Sequence, residues 1–395
     1  MKHILSLMLA VLLLAGCSFA SPPPEEPSTP PPATPAEQPV IAPVPLPEPE
    51  PEPDPRQEAI DKWMSSMPDE QMIGQLFFAR CPENDYGGEL AAAYSLGGYL
   101  LFARDFKDKT AQEVKDQISI YQAAASIPML IGVDEEGGTV VRVSSNPQLR
   151  EKRFASPQYL YNQGGLEAVL SDCREKDALL LSLGINVNFA PVADLSTNPK
   201  DFIYDRTLGR DAEETSGYIS AVVEQMEADG MGSVLKHFPG YGPNRDTHTG
   251  SALDTRPLEA FQEADFLPFQ AGIAAGGGTT AVLVSHNIIQ SVDPDRPGSL
   301  SPAVYRLLRE ELEFDGPALT DDLVMDAITQ YSISSQACPA VLALAAGADM
   351  VITTDFRTQI PQTLAALEDG TLPRERVEEA ASRVLGWKYD LGLIA

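Results

Sequence analysis

The sequence predicts an α/β fold, a single (β/α)8 barrel (a TIM barrel) preceded by a proline-rich tether. Three observations predict it. From residue 57 onward, short apolar, β-branched runs alternate with longer stretches of helical periodicity. The runs are continuous rather than alternating, as strands buried on both faces must be. Ionisable or polar residues follow nearly every run on its C-terminal side, where the strands of such a barrel converge on one mouth. An open doubly wound sheet alternates similarly, but it concentrates function at a switch point, and the chain has neither a dinucleotide fingerprint nor a phosphate loop.

The expected strands are QLFFA (75–79), GGYLLFA (97–103), MLIGV (129–133), NVNFAPV (186–192), GSVLKHF (232–238), TAVLVSH (280–286), GPALT (316–320) and DMVITT (349–354). Between them, segments such as TAQEVKDQISIYQAAA and ETSGYISAVVEQMEADG carry apolar residues at helical spacing. The strand-end residues begin with Arg80, Arg104, Asp105, Asp134, Glu135 and Asp194. Lys236, His237, His286, Asp321, Asp322 and Asp355 follow.

The N-terminus, MKHILSLMLAVLLLAGC, has a positive start and an apolar run from Ile4 to Leu14. A permanent membrane helix needs about 20 apolar residues, so the run reads as a secretory signal. Leu14-Ala15-Gly16-Cys17 resembles a bacterial lipobox, which implies residues 1–17 as a lipoprotein signal with acylation at Cys17. Residues 18–56 hold about half of the chain's 34 prolines and end in PEPEPEPDPR. Such a segment has little to bury and few backbone donors, so it is expected to be an extended tether. Residues 57–395 are expected to form the catalytic domain. The formal net charge of -29 counts against nucleic acid and anionic lipid surfaces as partners. Cys81, Cys173 and Cys338 are too widely spaced for a disulfide framework or a zinc ligand set, and read as core or near-surface thiols.

KHFPGYGPNRDTHTG (236–250) is the densest group of ionisable residues. Asp246 and His248 lie two apart, which in extended chain puts both on one side. A carboxylate beside an imidazole fixes its tautomer and makes a general acid/base, although a lone loop histidine is also often just polar. Asp321 at the mouth of a barrel suits a nucleophile or a metal ligand, and Asp322 suits a helix N-cap. In DEEGGTVVRV (134–143), Gly137 and Gly138 allow a tight bend that aims Asp134 and Arg142 at the mouth. YDRTLGRD (204–211) offers Arg206 and Arg210. Arginine, lysine and aspartate together make a hydrogen-bonding set for a polyhydroxylated ligand, and would equally suit a carboxylate or phosphate.

DEEGG, NFAPVAD, DRTLGRD, KHFPGYG, DTH and TDDLVMDA, in this order, resemble glycoside hydrolase family 3, in particular its single-domain β-N-acetylglucosaminidases of cell-wall turnover. The resemblance covers the whole globular part. It implies a retaining mechanism in which Asp321 is the nucleophile and His248, paired with Asp246, is the general acid/base. It implies that Asp134, Arg142, Arg206, Lys236 and His237 hold the hydroxyls of the terminal sugar. A His–Asp dyad then stands in for the second carboxylate of most retaining glycosidases. Two positions depart from the wall-recycling pattern: Tyr241 stands where those enzymes usually have a second histidine, and Thr139 where they usually have arginine.

The expectation is an exo-acting β-N-acetylglucosaminidase without cofactor, tethered by lipid outside the cytoplasmic membrane. It would release N-acetylglucosamine from peptidoglycan fragments, muropeptides or similar oligosaccharides. The alternatives are a β-glucosidase or β-xylosidase of the same family, and a non-catalytic glycan-binding lipoprotein, from which the nucleophile or dyad should be missing. A metal-dependent hydrolase could use His237, His248 and His286, but no His-x-His pair ends the first strand, where such enzymes typically carry one.

Overall fold

The computed structural model describes residue 21 and residues 54–83, 86–244 and 252–395. Cys17, Asp246 and His248 lie outside the described residues. Helix Pro55–Met64 opens the folded unit, with the Asp54 side chain accepting from the Arg56 N–H. The helix therefore starts just before the expected boundary at residue 57.

Among the described residues, ten strands follow in chain order. They are β1 (Phe77–Arg80), β2 (Gly98–Leu101), β3 (Leu130–Val133), β4 (Val187–Asn188), β5 (Gly232–Phe238), β6 (Leu253–Asp254), β7 (Thr280–Val284), β8 (Ile288–Ile289), β9 (Ala318–Asp322) and β10 (Met350–Thr353). Eight of them close a parallel barrel in the order β1-β10-β9-β7-β5-β4-β3-β2. Each expected run overlaps one barrel strand, with β1 and β9 running past the expected ends to Arg80 and Asp322. The short parallel pair β6–β8 lies outside the barrel and was not expected, since two-residue strands carry no periodic signal.

The helices form where periodicity and caps agree. Helix Ala111–Ala124 starts with a capping box, in which Thr110 and Glu113 each bond the other's backbone N–H. Helix Ala212–Asp229 starts on the Asp211 cap and stops at Gly230, which takes the left-handed conformation. The barrel interior is filled by side chains. Phe78 and Phe189 meet edge to face at 5.2 Å across it. Gly132 makes room for them, because a Cβ there would lie 2.6 Å from Phe189 and 2.8 Å from Phe78.

The three cysteines from 81 onward are free, with Cys81 and Cys173 buried and Cys338 partly so. Among the described residues, no helix is long and apolar enough to cross a membrane.

Candidate active site

The C-terminal ends of the strands open on a cavity of about 700 Å³. Strand ends bring Asp134, Lys236, His237 and Asp321 into its lining. The loops after β3 and β4 add Arg142 and Arg206. All six candidate site residues within the described part therefore share one cavity.

Three consecutive acids after β3 do three different things. Asp134 faces the cavity, where Oδ1 accepts from Lys236 Nζ at 2.7 Å and Oδ2 lies 3.5 Å from Arg142 Nη2. Glu135 turns inward and accepts the backbone N–H groups of Arg142 (2.8 Å) and Val143 (2.7 Å), which ties the returning loop to the strand end. Glu136 takes Arg206 in a two-pronged pair at 2.9 and 2.7 Å and Lys236 Nζ at 2.6 Å. Burial alone would raise the Glu136 pKa, but the Arg206 and Lys236 charges and hydrogen bonds outweigh it and hold the carboxyl well below the usual range. Burial likewise opposes the charge on Arg206, and Glu136 reverses that and raises its pKa. The turn between the acids and Arg142 needs Gly137 and Gly138, at φ +97° and +64°.

β5 delivers two neighbouring side chains to the same cavity. Its pairing with β7 shifts register between Lys236 and Phe238, which breaks the usual alternation at this point. The Lys236–His237 peptide is cis. His237 is bonded at both ring nitrogens, with Nδ1 2.7 Å from Asp194 Oδ2 and Nε2 3.2 Å from Arg206 Nη2. Arginine only donates, so Nε2 accepts and the proton sits on Nδ1. The imidazole is therefore held in place by its neighbours. Asp194 Oδ2 also accepts the His237 N–H, and Oδ1 accepts that of Tyr241 at 2.7 Å. Tyr241 is buried with its ring edge-on to His237 at 5.5 Å, and Thr139 is part of the cavity wall.

At the end of β9, half-buried Asp321 accepts the Asp322 backbone N–H at 2.8 Å. Asp322 is not the N-cap it was expected to be. The next helix, Asp326–Ser335, starts after Met325 with no side-chain cap, and Asp322 instead accepts from the Val324 N–H at 3.2 Å. Three residues separate Asp322 from the first helical turn, too many for a cap. Behind this strand end, His286 donates from Nε2 to the Asp322 carbonyl (3.0 Å), and Nδ1 meets Ser299 Oγ (2.7 Å). A carbonyl only accepts, so His286 props the β9 end, and both nitrogens that a metal would need are bonded.

Arg210 is not in the cavity. It bonds Asn162 and pairs with Glu214 on the outer helices. Glu136 and Asp194 are the functional groups that sequence reasoning did not single out. Glu136 reads there only as part of a weak EEGG turn. Asp194 was a strand-end acid, but nothing local links it to His237, 43 residues away.

Comparisons with known proteins agree with the barrel fold. The model of the glycosyl hydrolase family 3 N terminal domain matches residues 69–386. A β-hexosaminidase of Xanthomonas campestris pv. campestris (strain B100) is 33% identical over 312 residues, which is 76% of this chain and 89% of its own length. A β-N-acetylglucosaminidase/β-glucosidase of Cellulomonas fimi is 30% identical over 346 residues, 84% of this chain and 59% of its own. Among solved structures, a glycoside hydrolase family 3 β-N-acetylglucosaminidase from Paenibacillus sp. str. FPU-7 superposes with a TM-score of 0.75 at 29% identity, over 83% of this chain and 63% of that longer one. The chain thus spans less than two thirds of the Cellulomonas and Paenibacillus proteins.

Proposed function

The chain belongs to glycoside hydrolase family 3, and from that membership we propose that it is a retaining exo-β-N-acetylglucosaminidase acting on peptidoglycan fragments or related oligosaccharides. The observation that carries this reading is the convergence of Asp321, Asp134, Arg142, Arg206, Lys236 and His237 in one cavity. Asp134 offers acceptor oxygens, and Lys236, Arg206 and Arg142 offer donors, which together suit a ring of hydroxyls. Asp321 attacks the anomeric carbon while His248, oriented by Asp246, protonates the departing glycosidic oxygen. His248 then takes a proton from water, and that water displaces Asp321 from the glycosyl-enzyme. His237 is committed to Asp194 and Arg206, so it positions rather than transfers protons.

The test is a paired assay of 4-nitrophenyl β-N-acetylglucosaminide against the β-glucoside, with wild type, Asp321→Ala and His248→Ala. We expect preference for the acetamido sugar, abolition by Asp321→Ala and strong reduction by His248→Ala. Turnover of β-glucoside alone would move the assignment to the β-glucosidase reading. Glycan binding by folded protein without turnover of either would make it a binding protein.

We also assign residues 1–17 as a lipoprotein signal, Cys17 as the acylated residue, 18–56 as the tether and 57–395 as the catalytic domain outside the cytoplasmic membrane. The LAGC sequence after a short apolar run supports this. Cys17→Ala is expected to move the protein out of the membrane fraction, and an unchanged distribution would remove the lipid anchor.

A further inference from the structure

We propose that Arg80, stacked on Phe102, is a specificity residue that binds a carboxylate on the leaving group, so that the enzyme favours acidic over neutral aglycones; this rests on the reading above, in which the cavity holds a terminal N-acetylglucosamine. Arg80 ends β1 and lines the cavity. Its Cζ lies 4.0 Å from the Phe102 ring centroid, and the same ring has Arg142 at 5.6 Å and Arg104 at 6.0 Å. Three guanidinium groups around one ring repel each other and call for negative charge nearby.

The local acids are already committed. Glu83 pairs with Arg104 at 2.8 Å. Asp105, which also feels the Arg80 charge, accepts from the Phe102 N–H at 2.6 Å and sits 3.7 Å from Arg104. Asp134 is shared between Lys236 and Arg142. Arg80 forms no ion pair among the described residues, and the Nε atoms of Arg80 and Arg142 are buried without a hydrogen-bond partner. In a chain of net charge -29, this wall is a local reversal of sign. A guanidinium lying on a ring keeps its in-plane N–H fork free, and that fork fits a carboxylate.

The terminal N-acetylglucosamine carries no carboxylate, so a carboxylate at Arg80 belongs to the leaving group. The hydroxyl anchors come from β3 to β5 and the nucleophile from β9, while β1 lies beyond β10, across the mouth from β5. Phe102 follows β2, next to β3, and shares its ring with the anchor Arg142, so Arg80 extends the anchor wall toward β10.

The experiment compares kcat/KM for N-acetylglucosaminyl-β-1,4-N-acetylmuramic acid and its methyl ester, in which one added methyl group removes the lactyl charge. Wild type is expected to favour the free acid by about tenfold, the scale of one charge-assisted hydrogen bond. In Arg80→Gln the acid-to-ester ratio should fall to near one, and in Arg80→Lys, which keeps the charge but loses the fork, it should be intermediate. The wild-type ratio stands even if a variant fails to fold. Equal wild-type rates on acid and ester, or an Arg80→Gln loss that is the same for both, would overturn the proposal and leave Arg80 as packing. If wild type hydrolyses 4-nitrophenyl β-N-acetylglucosaminide without an acid preference, only this inference fails. If it turns over β-glucoside alone, the underlying reading fails and takes the inference with it.

Discussion

Two lysines are buried at opposite ends of the barrel, and they are held in opposite ways. Lys236, 2% exposed, sits at the mouth between Asp134 at 2.7 Å and Glu136 at 2.6 Å. Lys388, fully buried, lies on helix Arg374–Asp390 beside the segment that leads into β1, and its Nζ bonds Gln75 Oε1 at 2.5 Å. No carboxylate offsets its desolvation among the described residues, and burial pulls its pKa down to about 7. The mouth spends two carboxylates to keep a cation charged where a ligand can use it. The floor carries a lysine whose alkyl stem packs well and whose charge is a burden there. Of these two lysines, the one at the C-terminal face has its charge paired and the one at the other face does not.

The strongest way to break this comparison is Lys236→Met. It leaves half-buried Asp134 and buried Glu136 without their shared cation, although Asp134 keeps Arg142 and Glu136 keeps Arg206. Loss of a fixed donor in such a site is expected to lower kcat/KM on 4-nitrophenyl β-N-acetylglucosaminide by about 10²- to 10³-fold. Removing one partner of a buried pair is expected to cost about 3 kcal/mol in urea unfolding. Near-wild-type turnover would mean that the charge at the mouth is structural only.

Lys388→Met tests the other end, with a smaller effect of opposite sign. The wild-type penalty follows from linkage. The unfolded lysine holds its proton up to about 10.5, and the folded one releases it at about 7. The cost of the buried charge is therefore fully present below pH 7, shrinks as pH rises from 7 to 10.5, and is gone above that. The Gln75 oxygen loses its donor in the variant, so the net gain expected at pH 7 is about 1–3 kcal/mol, fading toward pH 10. Turnover should not change. Denaturant midpoints at both pH values decide it. A destabilised variant, or a gain that grows with pH, would show that Lys388 is well solvated or has a charged partner.

The contrast also marks what could be read from the chain. All eight barrel strands were legible, because strands buried on both faces leave continuous apolar runs. The cavity's cations and Asp321 were legible because they sit directly at strand ends or in short motifs. The pairing was not. Glu135 and Glu136 are adjacent and chemically alike, and only the bend at Gly137 decides which one faces Arg206. Asp194 meets His237 through closure of the barrel rather than through local spacing. Arg80 was visible as a strand-end residue, but its stacking on Phe102 depends on two strands lying side by side. The pair β6–β8 is too short to leave a pattern, and an aspartate before an apolar turn looks the same whether it caps a helix or, like Asp322, a bend.

The smallest expected effect sharpens the boundary of the mouth within a single motif. YDRTLGRD carries two arginines four residues apart, and only Arg206 reaches Glu136. Arg210 points outward, where Nη2 donates to Asn162 Oδ1 at 2.5 Å, Nε lies 3.7 Å from Glu214, and the side chain is 32% exposed. Exposed pairs of this kind contribute little, so Arg210→Ala is expected to shift stability by no more than about 0.5 kcal/mol. Turnover of 4-nitrophenyl β-N-acetylglucosaminide should stay within about twofold of wild type, since no cavity-facing group changes its partner. A loss of tenfold or more, with stability unchanged, would show that the outer face of this loop sets the position of Arg206. The organised charge at the mouth would then extend to the surface of the barrel.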